Sequence, residues 1–296
     1  MLEPSNEGRA ANDLRTTPRR YSGARSGVVR TMGALARLSG GRARYQRQHL
    51  RSGRFAARSE SIAVPGLPRA LHGLLCVQLS DLHAGPYLGP GGLNDVVDSV
   101  NALEPDFVFL TGDLISTAWT DALEILDDLA RLRPRLASLG VFGNHDYHGR
   151  NEGRIAEAFA QRGIRFLRNE CARFERGGAA VSVVGLEDLE EAKAVDLERA
   201  RLDVRPGDLE LVLCHNPLGA LRLARPGCAA VFSGHTHGGQ LSLPFLWRFG
   251  PAHPGLRVKL GPTTLILSRG LGTVGVPFRF GAQTDVVAVT FQAAEA

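Results

Sequence analysis

Five apolar runs in this sequence each end in side chains that bind metal ions or phosphate. The first three runs lead into Asp81-Leu82-His83, Gly112-Asp113 and Gly143-Asn144-His145-Asp146. The other two lead into His215-Asn216 and Gly234-His235-Thr236-His237. In open α/β sheets, ligands lie outside the carboxyl ends of the strands. The pattern therefore predicts that the five segments converge on one site.

From about residue 61 onward, short apolar runs alternate with stretches of helical periodicity. Apolar residues at 93, 96, 97, 100 and 103 follow a period near 3.6, which predicts a helix. Further helices are predicted over residues 121–132, 151–162 and 189–200. Such alternation indicates parallel strands joined by helical crossovers. Two β-rich runs at the end of the chain, 263–267 and 285–291, suggest a second sheet packed on the first.

Each polar segment also has a less specific explanation when it is taken alone. An isolated Asp-x-His is usually a surface loop, and Gly112-Asp113 could be an ordinary turn. His145 and His215 could each be a hydrogen-bonded histidine. The His235-x-His237 pair is more informative, because two adjacent imidazoles repel once charged unless something holds them neutral. All five segments together, each at a strand end, favour a shared metal site.

In this order, the five segments resemble the motifs of the calcineurin-like metallophosphoesterases. The runs 234–240 (GHTHGGQ) and 268–272 (SRGLG) resemble the YkuE/YaeI-like bacterial branch in particular. The resemblance covers about residues 60–292. It implies the α/β fold class of the metallo-dependent phosphatases, a four-layer sandwich of two mixed β-sheets flanked by helices.

The resemblance also implies a site with two divalent metal ions. One ion would take Asp81, His83 and His237, the other would take Asn144, His215 and His235, and Asp113 would bridge both. Imidazole, carboxylate and amide-oxygen ligands suit Mn²⁺, Fe²⁺ or Zn²⁺ and argue against Ca²⁺.

Two further residues have implied catalytic roles. His145 would protonate the leaving group, and Asp146 would orient the His145 imidazole. This sequence departs from many relatives at Ser116, where they carry an acidic residue. That position is not among the implied ligands.

The implied reaction is hydrolysis of a phosphodiester, phosphomonoester or pyrophosphate bond by two-metal activation of water. A phosphate-ester small molecule or a lipid-linked phosphate is the expected substrate class. Two alternatives stay open: a nuclease of the same fold, and a non-catalytic metal-binding scaffold. Gln240, Arg269 and the 247–249 stretch are candidates for the substrate pocket, and residues 243–247 for a lipid-facing lip or for core packing. His148 and Arg150 could touch substrate but are more typical of a loop surface.

Charge is concentrated at the start of the chain. Residues 1–60 contain 13 arginines and 4 acidic residues, whereas the whole chain has 35 basic and 30 acidic residues. We expect residues 1–60 to be a poorly ordered, Arg-rich segment and residues 61–296 to form the phosphoesterase domain. The segment could contact an anionic membrane, and nucleic acid is a less favoured partner.

The sequence has no apolar stretch of the length that a transmembrane helix needs. No apolar h-region follows the first arginines, so a secretory signal is not expected. The predicted location is cytoplasmic with peripheral membrane contact. Four scattered cysteines form no CxxC motif, which favours buried, reduced thiols.

Overall fold

The computed structural model describes residues 38–240 and 255–294, together with residues 31, 34 and 35. Within them, twelve strands form two six-stranded sheets. The strands are β1 (Ala56–Val64), β2 (Leu74–Leu79), β3 (Phe107–Thr111), β4 (Ala137–Val141), β5 (Ile164–Phe166), β6 (Glu170–Arg176), β7 (Ala179–Gly185), β8 (Leu209–Leu213), β9 (Cys228–Ser233), β10 (Arg257–Leu260), β11 (Thr263–Leu267) and β12 (Asp285–Ala293).

The α-helices whose full range lies within the described residues are short and lie between strands or before the first of them. They are α1 (Gly41–His49), α2 (Asn94–Ala102), α3 (Asp121–Leu129), α4 (Glu152–Ala160), α5 (Leu197–Ala200) and α6 (Ala220–Leu223). Helix α2 buries Val96, Val97 and Val100, the apolar stripe that its periodicity predicts. None of the described helices has the length and apolar character needed to cross a bilayer.

Both sheets are mixed. The first has the order β1-β12-β2-β3-β4-β5, in which β2 to β5 are parallel and β12 is antiparallel to β2. The second has the order β10-β11-β9-β8-β7-β6, in which β11, β9, β8 and β7 are parallel. Strands β10 and β6 pair antiparallel at its two edges. The carboxyl ends of neighbouring parallel strands therefore share one edge in each sheet.

Strand β3 shows how the layers are built. Phe107 and Phe109 point into a cluster shared with Leu211 and Phe232 of the second sheet, and Val108 belongs to the cluster that includes α2. Because side chains alternate along a strand, one face of each sheet packs on the other sheet and the opposite face packs on helices. This arrangement confirms the predicted four-layer sandwich.

The start of the folded region lies earlier in the chain than we expected. Residues 41–49 form α1, and β1 begins at Ala56 and pairs in parallel with β12. Tyr45 and Leu50 are both 1% exposed and join the core. The Arg-rich composition suggested a disordered segment, but two of its arginines have acidic partners far away in the sequence. Arg42 pairs with Glu124 at 2.6 Å, and Arg51 pairs with Asp95 at 3.0 Å. The expected boundary after residue 60 therefore falls inside β1, and residues 1–30 lie outside the described part.

The predicted helix over residues 189–200 is also wrong for most of its length. Only Leu197–Ala200 is helical, and the Asp196 side chain accepts a hydrogen bond from the Arg199 N–H at 2.9 Å. Asp196 is thus the N-cap of a new short helix. All four cysteines are buried and form no disulfide, as predicted.

Candidate metal centre

The five polar segments meet at the common edge of the two sheets. Strands β2, β3 and β4 of the first sheet, and β8 and β9 of the second, lead into them. Gln78 at the end of β2 joins the sheets there, because its Nε2 donates to the Ser233 carbonyl of β9 at 2.9 Å. The Asp81 N–H donates to the Gly112 carbonyl, and the Gly234 N–H donates to the His215 carbonyl. These bonds hold the ends of the strands in register with each other.

Many of the site residues have a left-handed backbone. The φ angles are positive at Asp81, His83, Asp113, His235 and His237, with values of 47° to 70°. Non-glycine residues rarely adopt this conformation, and such strain tends to concentrate at functional sites. An extended backbone is therefore ruled out at both Asp81 and His83. Instead, tight turns after the strands direct both side chains into the site.

Glycine is required where two of these turns touch. A Cβ atom on Gly143 would lie 2.6 Å from the Asp113 backbone nitrogen and 2.7 Å from Nε2 of His215. A Cβ on Gly112 would lie 2.6 Å from the Gly143 nitrogen. The absence of both side chains lets the β3 and β4 loops approach closely enough for Asp113 to face His215.

Four predicted ligands form one compact, buried group. One ligand atom from each of Asp81, His83, Asp113 and His237 lies within 4.8 Å of the others. Nε2 of His237 is 3.0 Å from Nε2 of His83 and 3.3 Å from Oδ1 of Asp81. Nε2 of His83 is 3.4 Å from Oδ2 of Asp113. Two carboxylates and two imidazoles converging in this way form a donor set suited to a divalent transition metal.

The remaining predicted ligands lie next to this group. Nε2 of His215 is 3.4 Å from the same Asp113 oxygen, Oδ2, that faces His83. Nδ1 of His235 is 3.1 Å from Oδ1 of Asn144, and the His215 and His235 rings are 5.2 Å apart. Asp113 therefore lies between the two predicted sets, where a bridging carboxylate would have to be.

His215 provides the test of whether these residues fit a metal ion. Its Nδ1 donates to the Thr111 carbonyl at 2.7 Å, so Nε2 is the ring nitrogen left to bind a metal ion. Burial lowers the pKa of His215, but the charge of Asp113 outweighs burial and raises this pKa well above its usual value, so a bound cation would replace the Nε2 proton. Within the described residues, that Nε2 atom is buried and has no hydrogen-bond partner. Metal-binding histidines commonly donate their second ring nitrogen to a carbonyl or carboxylate. The orphaned Nε2 of His215 therefore fits a metal ligand.

The electrostatics of the site follow from burial and close charges. Burial, assisted by the charge of Asp113, raises the pKa of Asp81 to about 6. Burial lowers the pKa of His83 to about 3, so its imidazole is neutral at pH 7. For Asp113, burial acts in the opposite direction, but His215 and His145 outweigh it and hold the pKa well below its usual value. Asp113 is thus a carboxylate, and His83 retains the lone pair that a metal ion needs.

His145 lies beside Asp113, but Asp146 does not orient its ring as we expected. The His145 N–H donates to Oδ1 of Asp113 at 2.9 Å, and its Nδ1 donates to the Ser116 carbonyl at 3.1 Å. Both carboxylate oxygens of Asp146 instead accept backbone N–H groups, from Leu114 and Ile115 and from Gly143. Asp146 ties the β3 and β4 loops together, and the Ser116 carbonyl orients the imidazole.

The structure adds contacts that the sequence analysis missed. Oε1 of Glu190 lies 3.5 Å from Nε2 of His235 and accepts a hydrogen bond from Asn216 at 3.0 Å. Nη2 of Arg279 lies 3.2 Å from Nδ1 of His237. No motif marks these two residues. The one available signal was negative charge close to the β7 end, in the 187–191 run EDLEE.

The other pocket candidates have mixed outcomes. The Gln240 side chain bonds to the backbone of Val274, whereas Arg269 lines a basic pocket described below. The His148 ring is 4.9 Å from that of His145, and Arg150 bonds to the Glu191 carbonyl at the surface. Residues 243–249 lie outside the described residues.

Comparison with known families supports the same assignment as the fold and the site. The family model of the calcineurin-like phosphoesterases matches residues 75–239, more than half of the chain. The chain therefore belongs to the calcineurin-like phosphoesterase family, as the motifs predicted.

Curated relatives agree with this assignment. A transmembrane protein with metallophosphoesterase domain from Danio rerio is 32% identical over 248 residues, which are 79% of this chain and 56% of that protein. The chain thus spans little more than half of that relative. The metallophosphoesterase YkuE of Bacillus subtilis is 27% identical, with 88% of this chain and 92% of YkuE aligned. The UDP-2,3-diacylglucosamine pyrophosphatase LpxG of Chlamydia trachomatis is 29% identical over 59% of this chain and 67% of its own length.

Proposed function

We propose that this protein hydrolyses a phosphoric ester or pyrophosphate bond with the help of two divalent metal ions. The observation that carries the proposal is the buried convergence of Asp81, His83, Asp113 and His237 within 4.8 Å. Asp81, His83 and His237 would hold one ion, and Asn144, His215 and His235 the other. Asp113, whose Oδ2 lies 3.4 Å from both His83 and His215, would bridge them. The ligand chemistry favours Mn²⁺, Fe²⁺ or Zn²⁺.

When bound, such ions supply positive charge that stabilises the phosphoryl oxygens and acidifies an attacking water. The chain itself supplies the remaining functions. Asp113 and Asp81 add negative charge to the centre, so the net charge stays modest and still attracts an anionic substrate. His145 would donate the proton that the leaving oxygen needs. Its Nδ1 proton is held by the Ser116 carbonyl at 3.1 Å, so the proton it transfers would come from Nε2.

A lipid-linked pyrophosphate or phosphate is the substrate class we favour. The support is the similarity to LpxG, whose name describes a pyrophosphatase of a diacylated nucleotide sugar. We further infer that the protein works at the cytoplasmic face of an anionic membrane, which the Arg-rich start of the chain ahead of α1 would contact. The folded domain would then begin near residue 41, at α1.

The decisive experiment is a metal-dependence assay. The full chain is stripped with a chelator, loaded with Mn²⁺, Fe²⁺ or Zn²⁺, and given p-nitrophenyl phosphate or bis-p-nitrophenyl phosphate. We expect turnover on at least one substrate that requires the added metal. Bound metal without turnover on either would overturn the proposal. Release of phosphate or nucleoside monophosphate from a panel of nucleotide-sugar lipids would then identify the substrate.

A further inference from the structure

Two pockets lie side by side along helix α1, outside the metal centre. The first has a volume of about 660 Å³, and its lining is mainly apolar. Its base includes Tyr45 and Tyr87, whose hydroxyls are fixed by the carbonyls of Leu271 and Gly275. Pro277 and Phe278 line it as well. This pocket is large enough and apolar enough to take part of an acyl chain.

Apolar side chains are exposed around this pocket. Leu35 and Phe278, which line it, are 61% and 55% exposed. Leu38 and Phe280, which are close to lining residues in the sequence, are 87% and 60% exposed. Singly exposed apolar residues need no explanation, but a group of them at the rim of a pocket marks a binding surface. Since the surrounding chain is rich in arginine, such a surface suits a lipid that carries negative charge.

The second pocket is basic. It has a volume of about 550 Å³ and is lined by Arg54, Arg269 and Arg279, together with His49 and other residues. No aspartate or glutamate is among its described lining residues. The Arg279 guanidinium bonds to backbone carbonyls, including that of Arg269 at 2.8 Å, so its charge is held without a carboxylate there. Guanidinium groups bind phosphate oxygens with matching planar geometry.

The two pockets meet at one residue, because Gln48 of α1 lines both. The basic pocket also reaches the metal centre, since Arg279 contacts the His237 ring at 3.2 Å. We propose that this groove along α1 binds an anionic lipid, with an acyl chain against Tyr45, Tyr87 and Phe278 and the phosphate against Arg54 and Arg269. A simple anion would leave the apolar pocket unused, and a neutral lipid would leave the guanidinium charges unmatched.

Binding can be measured without turnover, so that its failure and a failure of the proposed hydrolysis remain distinct. The full chain with Asp113→Asn is kept in chelator and titrated calorimetrically. The ligands are dihexanoyl phosphatidic acid, dihexanoyl phosphatidylcholine and inorganic phosphate. We expect the phosphatidic acid to bind at least about tenfold more tightly than either of the others. Longer acyl chains should improve affinity by about fourfold for each methylene that becomes buried.

Variants locate the site. In the same background, Arg269→Gln or Arg54→Gln should weaken phosphatidic acid binding by about tenfold, because a charged hydrogen bond is lost. Phe278→Ser should weaken it by a similar factor and remove the dependence on chain length. The matched controls are the exposed Arg133→Gln and Leu221→Ser, which lie outside both pockets and should bind like the parent. Arg54 and Phe278 are exposed, so folding of these variants is expected, and a thermal melt checks it.

Three outcomes overturn the inference. Equal binding of inorganic phosphate would show a site for free anions, and equal binding of phosphatidylcholine would show an apolar patch without charge recognition. If neither the arginine nor the Phe278 variants change affinity, the lipid binds elsewhere. Vesicles of phosphatidylcholine with and without phosphatidic acid then distinguish binding of a single lipid molecule from docking on a membrane. If the groove binds a single lipid, Phe278→Ser should weaken binding both of the monomeric lipid and of the vesicles.

Discussion

Nε2 of His215 faces Oδ2 of Asp113 at 3.4 Å, and the opposite side of the same ring is held by the Thr111 carbonyl. The imidazole therefore cannot turn away from the carboxylate without losing a buried hydrogen bond. His83 faces the same Asp113 oxygen at 3.4 Å from the other side. One carboxylate oxygen thus stands between two fixed histidines, and its charge is the feature that should matter most for metal binding.

Asp113→Asn keeps the size of this side chain and removes its charge. We expect metal content to fall and turnover to drop by more than about 100-fold. Mutating a residue that only hydrogen-bonds to a metal ligand already lowers metal affinity or activity by about 10- to 100-fold, and Asp113 would bind the metal ions directly. Metal content is measured by mass spectrometry after gel filtration, and turnover with p-nitrophenyl phosphate. Asp98→Asn is the control, because Asp98 is exposed and pairs only with Arg131 in the described ion pairs. A fully metallated, active Asp113→Asn protein would contradict the bridging role.

His145→Ala should separate catalysis from metal binding. The His145 ring bonds to the Ser116 carbonyl and is not among the proposed ligands, so metal content should stay the same. Turnover should fall by about 10²- to 10⁴-fold, which is typical for loss of a general acid. The loss should be greater for an alkyl phosphate than for p-nitrophenyl phosphate, because nitrophenolate leaves without a proton. His148→Ala is the matched control, and equal metal loss in both histidine variants would argue against the acid role.

The ligand candidates were predictable because the topology of a parallel sheet brings the residues that follow its strands to one edge. Asp81, Asp113 and His215 each follow an apolar strand, and the carboxyl ends of such strands share an edge. The second sheet was expected from the β-rich runs 263–267 and 285–291, of which the first is β11 of that sheet, whereas the second is β12 of the first sheet. Apolar runs and the polar residues that follow them are local features, so they can be recognised in a sequence without knowledge of tertiary contacts.

What escaped prediction depends on contacts between distant parts of the chain. Helix α1 has one buried side chain, Tyr45, in an otherwise basic segment, and one of its arginines, Arg42, pairs with Glu124, 82 residues away. The contact of the Ser116 carbonyl with the His145 ring could not be predicted, because every residue has a backbone carbonyl and the residue type does not mark it. Glu190 lies in a stretch whose apolar residues at 189, 192 and 195 imitate a helix, although Asp188 caps a turn there instead.

Glu190 gives a prediction that sequence reasoning could not make. If His235 binds a metal ion through Nδ1, its ring proton lies on Nε2, 3.5 Å from Oε1 of Glu190. A carboxylate in this position fixes the ring and makes it a stronger donor. Glu190→Gln should therefore weaken metal affinity by about 10- to 100-fold, measured by competition with a chelating dye.

The same variant should recover most of its turnover at saturating metal, since Glu190 would act through His235 and not on the substrate. Glu191→Gln is the matched control, because that neighbour pairs with Arg150 at the surface. Unchanged metal affinity in Glu190→Gln, or a loss of turnover that excess metal does not restore, would exclude the positioning role.

Asp188 predicts a specific pH dependence of stability in the metal-free protein. Burial outweighs the lowering effect of His215 and raises the pKa of Asp188 to about 6, and among the described residues its Oδ2 atom has no hydrogen-bond partner. The folded state therefore binds this proton more tightly than the unfolded chain, whose aspartates titrate near 3.8.

The stability that the Asp188 proton contributes is complete below about pH 3.8 and is lost as the pH rises through about 6. Asp188→Asn removes the titration, so the free energy of unfolding of the variant should gain on that of the wild type by about 2 kcal/mol between pH 4 and 7. Urea unfolding in chelator at each pH measures this difference, and the exposed Asp203→Asn should show no such trend. A difference that stays constant with pH would mean that Asp188 titrates alike in the folded and unfolded chain.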